Sequence, residues 1–90
     1  MIIQRRDRNE AGIIQALVGA GCYVVQMDRL AGFDLLVWLS GEMFVIEVKM
    51  PGKKLTPAES LRAEEISTLG GGRVNIVTSI EEALKVVGRL

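Results

Sequence analysis

Two apolar stretches joined by a turn dipeptide are the strongest feature of the hydrophobic pattern. Residues 33–39 and 43–50 are rich in apolar, β-branched and aromatic side chains, and Ser40-Gly41 lies between them. Runs of this length and composition, bounded by turn residues, are typical of β-strands. The pattern therefore predicts a β-hairpin in the middle of the chain.

The register of this hairpin follows from the length of its loop. A two-residue loop pairs Leu39 with Glu42, and the same ladder sets Asp34 opposite Glu47. Directly opposed residues in an antiparallel pair share a face, with side chains about 4.5–5.5 Å apart, and the period of two adds Lys49 to that face. Two acids and a lysine are therefore expected to converge at one end of an otherwise apolar hairpin.

A helix is predicted ahead of the hairpin. Residues 7–20 repeat apolar side chains at helical spacing, with Ile14 and Leu17 on the apolar stripe. Glu10 lies near the centre of the same stripe. A carboxylate there is either a first-turn acid that reaches solvent and is favoured by the helix dipole, or a member of a buried site.

A second helix is predicted after the hairpin, over residues 57–69. Thr56-Pro57-Ala58-Glu59 has the pattern of a capping box with proline at the first helical position. Glu59 therefore has a structural role as the acid of the box. Leu61, Glu65 and Leu69 line one side of this helix.

The remaining elements complete one α/β domain over residues 1–90. Short apolar runs predict strands at 22–26 and 73–77, and a second capping box at 78–82 opens a last helix. The order is α-β-β-β-α-β-α, and the helical crossover should bring the fourth strand in parallel. We expect a mixed β-sheet of about four strands, flanked by helices that cover both faces.

Composition narrows the chemistry that the chain can perform. Eleven acidic residues balance eleven basic ones, Cys22 is the only cysteine, and histidine is absent. This excludes an intramolecular disulfide, zinc-finger ligation and a histidine general base. Because the net charge is zero, any surface that attracts nucleic acid must be local.

The apolar content bears on assembly and location. Of the 90 residues 49% are apolar, yet a chain of this size buries only somewhat over about 60% of its unfolded surface. Part of the apolar area is therefore expected to be buried between subunits, most simply in a homodimer. No apolar run reaches the roughly 20 residues of a membrane span, and no signal-peptide pattern opens the chain. We expect an intracellular protein without a membrane partner.

The predicted meeting of Asp34 and Glu47 favours a cation at this place. Two carboxylates about 5 Å apart repel by roughly 3 kcal/mol at an effective dielectric near 20. Lys49 can neutralise one acid, whereas a hard divalent ion, Mg²⁺ or Mn²⁺, fits both and leaves positions for substrate phosphates. The alternative is a solvated cluster of charges at a surface hairpin end, because exposed ion pairs are nearly neutral in energy.

Basic residues near this end of the hairpin suggest contacts to nucleic acid. The turn that follows Lys49 carries Lys53 and Lys54, which we expect to clamp a nucleic-acid backbone. Arg29, in the loop before the hairpin, is a further candidate phosphate contact. The alternative for the lysines is a solubilising loop.

Taken in order, these residues resemble the PD-(D/E)xK nuclease superfamily. Asp34, followed by Glu47-Val48-Lys49 at the end of the next strand, is similar to the signature of that superfamily. With Glu10 in the leading helix and Leu55-Thr56-Pro57 opening the next helix, most of the chain resembles the virus-type replication-repair nuclease (VRR-NUC) domain.

Two positions depart from the family pattern. Phe33 stands where a proline usually precedes the aspartate, and that proline is not a ligand. Glu59 stands where a glutamine usually lies in the helix after the strand, so the family role of that position does not carry over.

The resemblance implies a restriction-endonuclease-like core and metal-dependent hydrolysis of phosphodiester bonds in DNA. By the family pattern, Asp34 and Glu47 hold one or two Mg²⁺ or Mn²⁺ ions and the Val48 carbonyl adds a ligand. Glu10 assists the metal directly or through water, and Lys49 acts on the attacking water or on the developing charge. Small stand-alone members imply a structure-selective endonuclease that cuts branched DNA, such as four-way junctions, as a dimer.

Two other functions fit the same residues. A catalytically silent nucleic-acid-binding module with this fold predicts DNA binding without metal-dependent cleavage. A small dimeric interaction domain predicts neither activity and makes Asp34 and Glu47 surface charge.

Overall fold

A computed structural model of the chain describes residues 8–28, 33–69 and 72–90. In these ranges three helices and four strands follow one another in the expected order α-β-β-β-α-β-α. The helices are α1 (Glu10–Gly19), α2 (Pro57–Leu69) and α3 (Ile80–Val86), and the strands are β1 (Tyr23–Gln26), β2 (Leu35–Leu39), β3 (Glu42–Val48) and β4 (Val74–Val77). None of these helices has the length and apolar character needed to cross a membrane.

The four strands form one mixed sheet in the order β1-β2-β3-β4. The first three strands form an antiparallel meander, and β4 joins β3 in parallel after the crossover through α2. The predicted mixed sheet is confirmed. Because β3 runs antiparallel to β2 and parallel to β4, the start of β2 and the ends of β3 and β4 lie together at one edge of the sheet.

The hairpin of β2 and β3 has the register expected from its two-residue loop. Leu39 pairs with Glu42, and Leu35 pairs with Ile46. The loop residues Ser40-Gly41 have positive φ angles of 52° and 83°, which is the combination that a two-residue type I′ turn requires. The strand ends are shorter than expected, since β2 begins at Leu35 and β3 ends before Lys49.

One face of the sheet carries the hydrophobic core, and α1 and α3 pack together over it. The buried apolar residues come from all four strands and from the two helices. They are Ile13, Ile14, Leu17, Cys22, Val24, Leu35, Val37, Ile46, Val48, Val77, Ala83 and Val87. The thiol of Cys22 is free and lies in this core.

The opposite face of the sheet is less covered than expected. α2 lies on this side, because its Glu59 contacts the side chain of Lys49. No residue of α2 is buried, however, and both Leu61 and Leu69 are exposed. The expected cover of both faces by helices is therefore complete on one face only.

Candidate active site

Asp34 and Glu47 lie side by side at the end of the hairpin. The backbone N–H of Asp34 donates to the carbonyl of Ile46 at 3.1 Å, one residue out of step with the ladder, in which Ile46 pairs with Leu35. The ladder therefore ends at Leu35 and Ile46 and does not include the expected direct pair of Asp34 and Glu47. The Oδ2 atom of Asp34 accepts a hydrogen bond of 2.8 Å from the backbone N–H of Val48. The hairpin therefore orients the Asp34 carboxylate toward β3, next to Glu47.

The carboxyl group of Glu47 is buried and interacts with that of Asp34. Only 6% of Glu47 is exposed. Burial, a hydrogen bond to the Asp34 side chain and the charges of Asp34 and Glu59 raise the pKa of Glu47 from 4.5 to about 8, against an opposing effect of Lys49. At neutral pH, without a bound cation, Glu47 therefore holds a proton where two negative charges would otherwise meet.

This pair of carboxyl groups fits a divalent cation. Carboxylate oxygens suit Mg²⁺ and Mn²⁺, and Mg²⁺ needs only one or two protein carboxylates when waters and phosphates complete its shell. Within residues 8–28, 33–69 and 72–90, no group of three or more Asp, Glu, Cys or His side chains lies close enough together to hold a metal ion. The described part of the chain thus offers Asp34 and Glu47 as a site with two carboxylates.

Lys49 directly follows β3 and is positioned through both its backbone and its side chain. Its backbone N–H donates to the carbonyl of Val77 at 2.9 Å, next to the parallel pairing of β3 and β4. Its Nζ atom lies 2.6 Å from the Oε1 atom of Glu59. Since the charge of Lys49 also lowers the pKa of Glu47, the ammonium group lies near both glutamates.

Glu59 belongs to this cluster, although the sequence pattern assigned it only to the capping box. The box itself is confirmed: the N–H of Thr56 donates to Glu59 Oε1 at 2.8 Å, and the N–H of Glu59 donates to Thr56 Oγ1 at 3.2 Å. Burial acts to raise the pKa of Glu59, but the hydrogen bonds from Lys49 and Thr56 outweigh it and lower the pKa. The contact between Glu59 and Lys49 could not be predicted from the sequence, because the sequence does not define the path of the loop that joins β3 to α2.

Glu10 begins α1 and is fully buried. The side-chain amide of Gln26 in β1 donates a hydrogen bond to its Oε2 atom. The preceding residue, Asn9, donates from Nδ2 to the carbonyls of Lys49 and Thr78, both at 2.9 Å. These bonds attach the start of α1 to the ends of β3 and β4, at the same edge of the sheet as the acidic pair.

Glu10 approaches this edge from the core side of the sheet. Gln26, which contacts it, pairs with Leu35 and so belongs to the core face, whereas Glu47 is next to Ile46 along β3 and faces the other way. This explains why Glu10, Asp34 and Glu47 do not form one metal-binding group among the described residues. Of the two alternatives for Glu10, its burial excludes a first-turn acid that reaches solvent. A role of Glu10 in a metal site stays a prediction.

The other predicted site residues lie around this cluster. Val48 is fully buried, and its N–H orients Asp34. Lys53 and Lys54 are exposed in the turn beyond β3, where the N–H of Lys53 donates to the carbonyl of Met50 at 3.0 Å. Arg29 lies outside the described residues.

Comparison of the chain with protein family models, with curated proteins and with solved structures found no match. The resemblance to VRR-NUC domains therefore remains an interpretation of the motif residues, chiefly Asp34, Glu47 and Lys49.

Proposed function

We propose that this chain is a metal-dependent endonuclease that hydrolyses phosphodiester bonds in branched DNA, such as four-way junctions. The main support is the buried carboxyl pair of Asp34 and Glu47, in which the pKa of Glu47 is raised to about 8. Strongly perturbed carboxyl groups concentrate at functional sites. In a hairpin with only a structural role, the burial of two adjacent carboxyl groups costs free energy without a compensating function.

Asp34 and Glu47 would hold one or two Mg²⁺ or Mn²⁺ ions, with the Val48 carbonyl as a further ligand. Such an ion, when bound, acidifies water and stabilises negative charge on a phosphoryl group. The hydrogen bond from the Val48 N–H fixes the direction of the Asp34 carboxylate before any ion binds. Glu10 would assist through water, because it reaches the edge of the sheet from the core side.

Lys49 would act on the attacking water or on the charge that develops on the phosphate. Hydrolysis of a phosphodiester accumulates negative charge, and preorganised cationic groups stabilise it. The ammonium of Lys49 lies 2.6 Å from Glu59. It is also close enough to Glu47 to oppose part of the rise in the pKa of that residue. In this position the ammonium can act on a water or a phosphate bound beside Asp34 and Glu47.

The same proposal assigns the partners of the chain. Lys53 and Lys54 are exposed in the loop that follows Lys49 and would contact the phosphate backbone, with Arg29 as a further phosphate contact. A homodimer would supply two active sites for paired cuts in a four-way junction. An intracellular location is implied, because the substrate is found there.

The second candidate is a nucleic-acid-binding module with the same fold and without catalysis. Two observations favour it. Within the described residues no third acidic side chain is placed to share a metal ion with Asp34 and Glu47. In addition, Lys49 is engaged by a glutamate at position 59, where the VRR-NUC pattern has a neutral glutamine.

The test is cleavage of a labelled four-way junction in the presence of Mg²⁺ or Mn²⁺. The parent chain is compared with Glu47→Gln and Lys49→Ala, and with the control Glu42→Gln at the exposed start of the same strand. We expect each site variant to lose activity on the order of 10²-fold or more. The control should cut like the parent.

Each outcome separates the functions. Site variants that cut as fast as the parent would show that the assignment of Glu47 and Lys49 is wrong. A parent chain that binds the junction without cutting it supports the binding module. A parent chain that neither binds nor cuts supports the interaction domain.

A further inference from the structure

The face of the sheet opposite the core carries an apolar row in register. Tyr23 pairs with Trp38, and Trp38 pairs with Met43, so their side chains form one row, the outer row, across β1, β2 and β3. These residues are 68%, 37% and 56% exposed. The rings of Tyr23 and Trp38 contact each other in a tilted arrangement, with centroids 6.1 Å apart.

A second apolar row lies between the outer row and the candidate active site. Val25, Leu36, Val45 and Val74 occupy paired positions across the four strands, and each is half-buried. The outer row and the second row therefore contain no charged side chain. The apolar surface extends along the hairpin until it reaches the row of Glu47.

Apart from Gln26, Glu42 and Glu47, the side chains of β1, β2 and β3 are thus apolar on both faces. An antiparallel sheet with one solvated face normally alternates apolar and polar residues, whereas strands covered on both faces are apolar throughout. In the described part of the chain, α2 lies on this side without burying any of its own residues. Ile76, in the row of Glu47, also stays exposed. A contiguous exposed apolar patch of this kind marks an interaction surface.

We infer that the outer and second rows form the contact surface of a two-fold symmetric dimer of this chain. A two-fold contact places the same patch on both subunits, so the patch must be complementary to itself. An uncharged apolar surface meets this condition, because it brings no like charges together. The same surface lacks the cationic groups that binding to DNA requires.

The size of the surface agrees with a dimer contact. An aromatic side chain presents about 150–250 Å², so the exposed fractions of Tyr23 and Trp38 alone leave on the order of 200 Å² open to water. Met43, Ile76 and the half-buried second row add to this area. Together they can supply the apolar centre of a standard interface, which takes about 800 Å² from each partner and has a polar rim.

This inference rests on the dimer in the proposed function, and it names the surface of that dimer. Its test needs neither DNA nor metal. A dimer that fails to cut DNA would therefore count against the nuclease and leave the surface standing. A monomer that cuts DNA would count against the dimer surface and leave the nuclease standing.

The experiment uses Trp38, the only tryptophan of the chain, as a probe within the surface. Sedimentation velocity over a series of protein concentrations is expected to show monomer converting to dimer. Over the same range the emission of Trp38 should shift to shorter wavelength, since the indole leaves water. A parent chain that stays monomeric at every concentration would overturn the inference.

Two variants test whether this surface is the one that pairs. Met43→Glu and Tyr23→Glu keep the tryptophan and place a charge in the outer row, and we expect each to weaken dimerisation at least tenfold. The control is Val18→Glu, which changes an exposed apolar residue on α1. It should dimerise like the parent chain.

Circular dichroism shows whether each variant is folded, and having two independent variants keeps the test decisive if one is not. Folded outer-row variants that dimerise like the parent would overturn the inference. The same conclusion follows if Val18→Glu weakens dimerisation as much as they do.

Discussion

The ammonium of Lys49 lies 2.6 Å from the carboxylate of Glu59, and this contact joins the end of β3 to the first turn of α2. The ion pair is partly buried. No residue of α2 is buried, and this contact is one of the interactions that attach the helix to the sheet. The attachment lies directly beside the carboxyl pair of Asp34 and Glu47.

Neutralising Glu59 should measure the strength of this attachment. Glu59→Gln keeps an acceptor for the N–H of Thr56 but removes the charge that faces Lys49. We expect the free energy of unfolding to fall by about 1 kcal/mol, between the values for exposed ion pairs and for hydrogen bonds to buried charges. Urea unfolding of a double-mutant cycle with Lys49→Met gives the coupling energy.

The control for this cycle is the exposed pair of Lys85 and Glu81, whose nitrogen and oxygen are 3.8 Å apart. Glu81→Gln should change the free energy of unfolding by less than about 0.5 kcal/mol. A coupling energy of zero between Lys49 and Glu59 would show that the contact does not stabilise the protein.

The raised pKa of Glu47 should make the stability of the metal-free protein depend on pH. A carboxyl group whose pKa is raised on folding stabilises the folded state in its protonated form. This contribution is complete below the ordinary value of 4.5 and is lost as the pH rises through about 8. We therefore expect the free energy of unfolding to fall over this range in the presence of a chelator.

Urea titrations at a series of pH values measure this dependence. Glu47→Gln should flatten it, and Mg²⁺ should restore stability at the upper end, because an ion that binds only the folded state stabilises it. If Glu47→Gln keeps the same decline, the titrating group is not Glu47.

Removing the donor of Gln26 should destabilise the start of α1. Gln26→Met keeps the length of the side chain but removes the hydrogen bond to the fully buried carboxyl group of Glu10. We expect a loss of about 1–3 kcal/mol in the free energy of unfolding, measured by urea titration. Gln15→Met, at an exposed position of α1, is the matched control and should have little effect. Equal effects of the two changes would contradict the role of Gln26.

Asn9 should be more important for stability than an ordinary helix cap. Its side-chain amide donates to the carbonyls of both Lys49 and Thr78, so Asn9→Ala removes two hydrogen bonds that join α1 to the sheet. We expect a loss of about 2 kcal/mol. The comparison is Ser79→Ala, which removes the N-cap bond of α3 and should cost about 1 kcal/mol. A smaller loss for Asn9→Ala than for Ser79→Ala would contradict this.

Exchange of Lys53 and Lys54 for alanine should weaken DNA binding in a salt-dependent manner. Each phosphate contact contributes about 0.9 to the slope of log affinity against log salt, so the double variant should lose about 2 from that slope. Fluorescence anisotropy of a labelled junction, without metal, measures it. Lys85→Ala, an exposed lysine on α3, serves as the control. An unchanged slope would mean that the turn does not contact the phosphate backbone.

The residues of the carboxyl pair could be predicted from the sequence because their contact is local. The two-residue loop at Ser40-Gly41 determines the register as far as Leu35 and Ile46. The residues next to this pair, Asp34 and Glu47, are thereby close enough for their side chains to form a hydrogen bond. The order of the elements and the parallel addition of β4 also followed from local patterns and from the crossover rule.

The contacts that the sequence left open depend on how separate elements pack. Helical periodicity placed Glu10 on the buried stripe, but only the position of Gln26 on the core face shows from which side Glu10 approaches the sheet. The capping box accounted for the presence of an acid at position 59, so there was no reason in the sequence to expect the contact of Glu59 with Lys49. Apolar spacing in α2 similarly suggested packing for Leu69, yet Leu69 is exposed.

The pairing order of the strands also bears on the path by which the molecule folds. The two acids belong to a hairpin closed by a two-residue loop, whereas β4 reaches β3 only after the whole of α2. Short loops close at low entropic cost, and pairings distant in sequence form more slowly. We expect pulsed hydrogen-exchange labelling during refolding to protect the amides of the hairpin before those of β4. Asp34 and Glu47 would then be neighbours before Lys49 meets Glu59 of α2. Affinity for a cation would therefore arise earlier along the folding path than the full cluster of these four charged residues.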